Sequence, residues 1–184
     1  MEIKPSILLH SCCGPCSTAV IERLISDYSI TVFYYNPNIT DPEEYDRRKS
    51  AQKLFLEAYP ATSPIRFIEG DYNPDLFLAQ SRGYEHEPEG GTRCGLCFTL
   101  RLRTTAEFAQ KNDYAYFGTT LSVSPHKNAD IINSIGLNLS AHYNVCYLSA
   151  DFKKQDGYAR SVQMAKAYQL YRQHYCGCRY SIPK

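Results

Sequence analysis

Seven of the eight cysteines fall in three tight clusters near the start, the middle and the end of the chain. The clusters are Cys12-Cys13-Gly-Pro-Cys16, Cys94-Gly-Leu-Cys97 and Cys176-Gly-Cys178. Four thiolates complete a tetrahedral zinc site or hold an iron–sulfur cluster. Seven clustered thiols exceed the needs of one tetrahedral ion, so they indicate a cluster, or a cluster with a second metal.

The length of the chain, 184 residues, is enough to bury a hydrophobic core without help from disulfides. No apolar leader precedes a small-residue cleavage site, and no apolar run is long enough to cross a membrane. We therefore expect a cytoplasmic protein without a membrane partner, whose clustered thiols are metal ligands or catalytic groups. A secreted domain stapled by disulfides remains the alternative.

The charge balance says little about partners by itself. A net charge of +1 creates no global field that attracts nucleic acid, so any such partner has to be held by a local patch. Arg47, Arg48 and Lys49 are typical of a solvated helix face. Arg47 and Arg48, with Lys153 and Lys154, are also the bases we expect to contact phosphates if the partner is an RNA.

Strand-like and helix-like patterns alternate along the chain. This alternation predicts an α/β fold: one domain, residues 1–184, built as a three-layer sandwich with a mostly parallel sheet and a metal-binding C-terminal tail. The predicted strands are 6–10, 30–35, 65–68, 114–118 and 145–148, and the predicted helices are 18–26, 42–58, 97–111, 130–139 and 162–173.

The predicted fold indicates where the cysteines meet. Sites in parallel α/β folds lie at the carboxyl ends of the strands. The first cluster follows the first strand, the second opens a helix, and the third lies in a tail that is free to fold back. We therefore expect the three clusters to converge.

The spacing within each cluster favours particular roles. Cys94 and Cys97 share one face at a helix start, where the dipole stabilises thiolate, so they suit one metal or cluster, although a redox dithiol remains open. The side chains of Cys12 and Cys13 would diverge in regular structure, so a tight turn would aim them at two different metals. Cys146, alone in a strand-like apolar stretch, is predicted to be a core residue and is excluded from the site.

Several other residues are open to more than one role. Asp151 could be a carboxylate ligand, a proton donor or a helix cap. His126 lies in a loop after Ser124-Pro125 and could contact either substrate or solvent. His10 ends the first strand beside the cysteines, where a hydrogen-bonded supporting role is favoured over metal ligation.

Six motifs combine in a specific pattern that covers nearly the whole chain. They are His10-Ser-Cys12-Cys13-Gly-Pro-Cys16, Tyr35-Asn36-Pro37-Asn38, Glu89-Gly-Gly-Thr-Arg93-Cys94-Gly-Leu-Cys97, Thr119-Thr120-Leu-Ser-Val-Ser124-Pro125, Asp151-Phe152-Lys153 and Tyr171-Arg172-Gln173-His-Tyr175-Cys176-Gly177-Cys178. With these motifs the chain resembles the cobalamin-independent, iron–sulfur type of epoxyqueuosine reductase.

The resemblance implies a fold, a reaction and partners. The fold is similar to the adenine-nucleotide alpha hydrolase-like (HUP) domains. The reaction is the last step of queuosine biosynthesis, reduction of epoxyqueuosine to queuosine in the anticodon wobble position of tRNA. The implied cofactors are a [4Fe-4S] cluster and an adjacent, mononuclear iron. The implied partners are tRNA bearing epoxyqueuosine in its anticodon loop and an external electron donor.

The resemblance also implies roles for individual residues. Six cysteines divide between the cluster and the second iron, with a seventh as an additional or alternative ligand. Three residues are candidate proton donors or positioning groups, and others are expected to bind the flipped-out base. The expected ligands are Cys12, Cys13, Cys94, Cys97, Cys176 and Cys178 with Cys16; the catalytic candidates are Asp151, Tyr175 and His126; the substrate-binding candidates are Tyr34, Tyr35, Asn38 and Arg93.

Two other functions remain open from the residues alone. One is a zinc-stabilised module that binds nucleic acid or protein without catalysis. The other is a thiol–disulfide oxidoreductase that uses Cys94 and Cys97, but it leaves five clustered thiols unexplained.

Overall fold

The computed structural model describes residues 4–183, which are organised around one five-stranded sheet. The strands are β1 (Ser6–His10), β2 (Ser29–Tyr34), β3 (Arg66–Glu69), β4 (Tyr116–Thr119) and β5 (Cys146–Tyr147). Their spatial order is β3-β2-β1-β4-β5, and each of these neighbouring pairs is parallel.

Helices cover both faces of the sheet. They are α1 (Gly14–Leu24), α2 (Pro42–Ala58), α3 (Pro74–Gln80), α4 (Thr92–Lys111), α5 (Ala129–Tyr143) and α6 (Gly157–Ala167). Helix α1 packs against α2 and α6, whereas α4 packs against α5 and α3. No helix in residues 4–183 is both long and apolar enough to span a bilayer.

Alternation along the strands separates two cores. Ile7 and Leu9 of β1 join one cluster with Val20 of α1, while Leu8 between them joins the other with Ala106 of α4. Successive side chains of a strand point to opposite faces, and a parallel sheet is apolar on both. The predicted three-layer α/β sandwich with a parallel sheet is therefore confirmed.

The elements differ from the predicted ones mainly at their ends. Helix α1 begins at Gly14 rather than residue 18, because Pro15 suits a first helical turn. Helix α4 begins at Thr92, so Cys94 is already helical. Helix α6 spans Gly157–Ala167, so residues 168–173 are not helical as predicted. Helix α3 was not predicted, although Asn73 caps it by accepting from the backbone N–H of Asp75 at 3.1 Å.

The prediction that Cys146 is a core residue is wrong, because its side chain is exposed. The next residue, Tyr147, points inward and packs against Phe117. Side chains of a strand alternate between faces, so an inward Tyr147 sends Cys146 outward. The sequence pattern identified the strand but not which face each residue takes.

The start of α1 lies against α2 with no room for a side chain. A Cβ built on Gly14 would be 2.6 Å from the backbone O of Ala51. A real Cβ never comes this close to a backbone atom, so any larger residue would push α1 away from α2. Because Gly14 directly follows Cys13, this contact also positions the first cysteine cluster.

Gly14→Ala should lower the free energy of unfolding of the metal-free protein by about 1–3 kcal/mol, since the backbone of α2 has to move. Gly95→Ala is the matched control in α4, where a new Cβ would meet no atom within 4 Å. That variant should be neutral or more stable by up to about 1 kcal/mol, because alanine favours helix. Urea unfolding measures both, and equal effects would contradict the close approach.

Candidate metal centre

The cysteines meet at the carboxyl ends of β1 and β4, two neighbouring strands in the interior of the sheet. Chain connections diverge between these neighbours, because β1 is followed by β2 on one side while β4 is followed by β5 on the other. Such a switch point leaves a crevice at the sheet edge, where α/β proteins bind ligands. Residues 11–16 after β1 and 120–128 after β4 enclose this crevice.

His10 joins three strand ends at this edge. Its Nε2 lies 3.0 Å from the carbonyl oxygen of Tyr35, and its Nδ1 lies 3.0 Å from Oγ1 of Thr119. A carbonyl only accepts, so Nε2 donates and Nδ1 accepts from the threonine hydroxyl. Burial lowers the pKa of His10 to about 4, which keeps the ring neutral. Both ring nitrogens are occupied, so His10 supports the site and has no nitrogen free for a metal.

The first cysteine cluster forms a compact triad. The Sγ atoms of Cys12, Cys13 and Cys16 all lie within 4.8 Å of one another. The expected divergence of Cys12 and Cys13 is wrong, because their sulfurs are 3.9 Å apart. The chain turns from β1 into α1 here, with Cys13 in extended conformation (φ −173°, ψ 158°) before the first helical residue. This turn lets adjacent residues point to one place.

The three thiols of the triad differ in the direction in which their pKa is shifted. Hydrogen bonds from Cys13 and Cys16 hold the pKa of the Cys12 thiol well below its usual value. Burial raises the pKa of Cys13, and the hydrogen bond with Cys12 raises that of Cys16 to about 12. One thiolate is therefore stabilised by two thiols, and a metal that replaced their protons would find three sulfur ligands converging.

The other two clusters line a second part of the site, which we call the four-thiol cavity. It has a volume of about 320 Å³, and its lining includes Cys94, Cys97, Cys176 and Cys178. Burial raises the pKa of Cys97 to about 12 and also raises that of Cys94. The backbone N–H of Gly90 donates to Sγ of Cys94 at 3.2 Å. Cys94 and Cys97 therefore keep their protons near neutral pH without a metal, and a soft cation would release the protons.

A neighbouring cavity of about 320 Å³ contains Cys12 and Cys16 in its lining together with residues of the C-terminal tail. We call it the tail cavity. Cys176 lines both cavities and so lies between the triad and the other thiols. Residues shared by the two linings are Glu89, His126, Lys127 and Cys176. The structure thus brings all three cysteine clusters to adjacent cavities.

A buried ion pair attaches the tail to the body of the protein. Nε of Arg48 lies 2.7 Å from Oε1 of Glu44, and both side chains are buried. The same guanidinium donates to the carbonyl oxygens of Tyr175 at 2.9 Å and Cys176 at 3.1 Å. Nε2 of Gln173 donates to Sγ of Cys13 at 3.0 Å. The third cluster is therefore held in place by contacts from α2 and from the triad.

The structure separates the predicted catalytic and substrate residues into two groups. His126 lines both cavities, Tyr175 lines the tail cavity, and Asn38 and Arg93 line the four-thiol cavity.

Tyr35 and Asp151 line neither cavity. The ring of Tyr35 is 4% exposed and belongs to the core with Phe33, so it is not available to stack on a base. The carboxylate of Asp151 lies 3.1 Å from Nζ of Lys153, which also donates to the carbonyl oxygens of Ser122 and Lys127. Asp151 is therefore linked to the loop of His126 through Lys153.

Sequence reasoning missed three residues of the site. The interpretation of Arg48 as part of a solvated face is wrong, because the side chain is 1% exposed and holds the tail. Arg101 lines the four-thiol cavity, and its place one turn after Cys97 on α4 could have revealed it. No sequence signal marks Gln173, because its contact with Cys13 depends on how the tail folds back.

Arg48→Met should lower the free energy of unfolding by about 3–5 kcal/mol, since it leaves the Glu44 carboxylate buried without its cation. It should also free the tail, which limited proteolysis detects as early cleavage after residue 167. Arg47→Met is the adjacent control: this arginine is exposed, and its ion pair is with exposed Glu43, so a much smaller loss of stability is expected. Similar losses of unfolding free energy in both variants would contradict the role of Arg48 in holding the tail.

The chain is similar in sequence to known proteins over nearly its whole length. The sequence model of the family described as epoxyqueuosine reductase QueH matches residues 7–184. A relative of that name from Streptococcus pyogenes serotype M1 is 45% identical over 182 residues, which cover 98% of this chain and 71% of the relative. One from Staphylococcus epidermidis is 43% identical over 185 residues (98% and 78%), and one from Thermotoga maritima is 31% identical over 180 residues (96% and 90%). The resemblance noted in the sequence is thus confirmed, and the chain belongs to the epoxyqueuosine reductase QueH family.

Proposed function

We propose that this protein reduces epoxyqueuosine to queuosine in the anticodon wobble position of tRNA, in the cytoplasm, as the last step of queuosine biosynthesis. The observation that carries the proposal is the meeting of six thiols at two adjacent cavities, with Sγ of Cys13 within 4.8 Å of those of Cys12 and Cys16. The curated relatives of the chain are named epoxyqueuosine reductase QueH. The family name supplies the reaction, and the cavities supply a place for it.

The reaction needs more than ordinary side chains provide. Converting an epoxide to an alkene breaks two C–O bonds and releases the oxygen as water, which requires two electrons and two protons. An iron–sulfur cluster bound by the clustered cysteines would supply the electrons received from an external donor, and a second iron would supply a Lewis acid for the leaving oxygen. The remaining tasks of holding the base, excluding water and donating protons belong to the protein.

The donor set fits the proposed metals. Thiolates are the ligands of iron–sulfur clusters, and seven of them exceed what a zinc ion requires. The ligands we propose for a [4Fe-4S] cluster and a second, mononuclear iron are Cys12, Cys13, Cys94, Cys97, Cys176 and Cys178. Cys16 completes the triad with Cys12 and Cys13, which supports its role as an additional ligand.

Polar side chains of the four-thiol cavity are suited to holding the modified base. Both side-chain atoms of Asn38, Oδ1 and Nδ2, are buried without a hydrogen-bond partner in residues 4–183. Nε of Arg93 is likewise buried without a partner. Hydroxyl groups both donate and accept, so an amide pair with both capacities free matches the ring hydroxyls of epoxyqueuosine. We propose that Asn38 and Arg93 orient the substrate.

Two residues are placed to donate protons. His126 is exposed and lines both cavities, and Tyr175 lines the tail cavity with its ring beneath Arg48 at 5.3 Å. Burial raises the pKa of Tyr175, so its hydroxyl keeps its proton at neutral pH. We assign proton donation to these two residues, and to Asp151 the role of positioning the His126 loop through Lys153.

Protein purified without oxygen should be brown, contain iron and sulfide, and bleach on reduction. Cys97→Ser should lose most of the iron, because serine is a poor ligand for a cluster. Cys146→Ser is the matched control: Cys146 is exposed on β5, so iron content and stability should be unchanged. Metal analysis and visible spectra provide the readout.

Stoichiometric zinc without sulfide would instead favour the binding module without catalysis. Full iron retention in Cys97→Ser, or loss only in Cys146→Ser, would overturn the ligand assignment.

The clustered, reduced protein should convert epoxyqueuosine in tRNA to queuosine, as measured by nucleoside mass analysis after anaerobic turnover. Arg172→Glu should weaken tRNA binding without altering the cluster spectrum, because this exposed base lies on the rim of the tail cavity. Lys111→Glu is the control: it ends α4, a helix of 20 residues that starts at the site and runs about 30 Å away from it. Fully clustered protein that leaves the epoxide intact would refute the proposed reaction.

A further inference from the structure

Three arginines are almost completely buried among the described residues. Arg48 is 1% exposed, Arg93 2% and Arg101 1%. Moving a guanidinium out of water is costly unless an anion or several hydrogen-bond acceptors replace the lost hydration. Each of these side chains therefore needs an identifiable partner.

Two of the three have partners within the protein. Arg48 pairs with the carboxylate of Glu44 and donates to two carbonyl oxygens of the tail. Nη1 of Arg93 lies 2.9, 3.0 and 2.6 Å from the carbonyl oxygens of Tyr84, Glu85 and Glu87. These two arginines are held by several protein acceptors, although Nε of Arg93 is left without a partner in residues 4–183.

Arg101 differs from both. Its Nε donates to the carbonyl oxygen of Cys97 at 3.3 Å, but Nη2 is buried without any partner in residues 4–183. No carboxylate of that range forms an ion pair with it, and its other close neighbour is the ring of Phe98 at 5.7 Å. The side chain lines the four-thiol cavity. A buried cation thus faces the cavity with an unused donor.

The cavity that Arg101 faces is lined by thiols of the second and third cysteine clusters. They are Cys94, Cys97, Cys176 and Cys178. Cys97 lies one helical turn before Arg101, so both project from the same face of α4. No carboxylate in residues 4–183 pairs with Arg101. A metal–thiolate centre in this cavity would place a negative charge beside it.

We propose that Arg101 is the counter-cation of the metal–thiolate centre, donating a hydrogen bond from Nη2 to one of its sulfurs and raising its reduction potential. This inference rests on the proposed iron–sulfur centre. A cluster held by thiolates is net negative and becomes more negative on reduction. A fixed cation beside it stabilises the reduced form more than the oxidised form, and hydrogen bonds to sulfur act in the same direction.

Lys127 is the other cation close to the thiols, but it is less suited to this role. Its pKa is raised by Cys176, Cys12 and Cys16 against the effect of burial, yet its side chain is partly exposed and lies in the loop after β4. A lysine on a loop is free to turn toward water or substrate. Arg101 projects from the interior of a 20-residue helix and is 1% exposed, so its charge stays at one place.

The experiment compares the midpoint potential of anaerobically reconstituted wild-type protein with the potentials of three variants at Arg101. Arg101→Met and Arg101→Gln remove the charge, and both should shift the potential to more negative values. Arg101→Lys keeps the charge and should stay closer to wild type. The neutral variants should also bind iron about tenfold more weakly, the usual effect of losing a group that supports metal ligands.

The metal-free proteins provide a readout that does not depend on catalysis. Without the cluster, Arg101 is a buried charge with no anion, so Arg101→Met should raise the Tm of the metal-free protein. Arg93→Met is the matched control from the same cavity: it removes donors from three carbonyl oxygens, so its Tm should fall.

The outcomes separate this inference from the proposed function. Unchanged potentials in Arg101→Met and Arg101→Gln, in a wild type that does hold the cluster, overturn the role of Arg101 and leave the proposed function intact. Wild-type protein that binds no iron–sulfur cluster overturns both. A negative shift in the neutral variants, with recovery in Arg101→Lys, establishes the counter-cation.

Discussion

The parallel pairing of β1 with β4 is the constraint on which the site depends. Because the two strands run in the same direction and their following segments diverge, their carboxyl ends leave a crevice that neither segment fills. His10 stabilises this edge by binding Thr119 at the end of β4 and the backbone after β2. The triad follows β1 directly, so its position is determined by the sheet.

A buried ion pair on α2 holds the third cysteine cluster at the crevice. Glu44 and Arg48 are one turn apart on α2, and the arginine donates to the backbone of the tail. A buried pair contributes little net stability by itself, but losing one partner is strongly destabilising. We therefore interpret the pair as a source of specificity, since Arg48 donates to the carbonyl oxygens of Tyr175 and Cys176 only when the tail lies in this position.

Some buried polar groups of this protein have hydrogen-bond or ion-pair partners, whereas others have none in residues 4–183. Arg48 is matched by protein acceptors, whereas three residues that line the four-thiol cavity carry buried polar atoms without a partner in residues 4–183: both side-chain polar atoms of Asn38, Nε of Arg93 and Nη2 of Arg101. Unpaired buried polar groups are rare in native structures, so their concentration in one place indicates a missing ligand. An anionic metal centre and a hydroxyl-rich substrate together would supply what these groups lack.

The sequence by itself determined the fold class, the central strands and the three cysteine clusters, because local hydrophobic periodicity and residue type express these features directly. Only the tertiary structure decided that Cys12 and Cys13 converge, that Cys146 faces solvent and that Arg48 is buried. Each of these depends on how distant segments pack: the turn into α1, the face taken by β5 and the return of the tail. Spacing along the chain identifies candidate ligands, but burial and partners arise from contacts between residues far apart in sequence, and these contacts assigned Arg101 and Gln173 to the site.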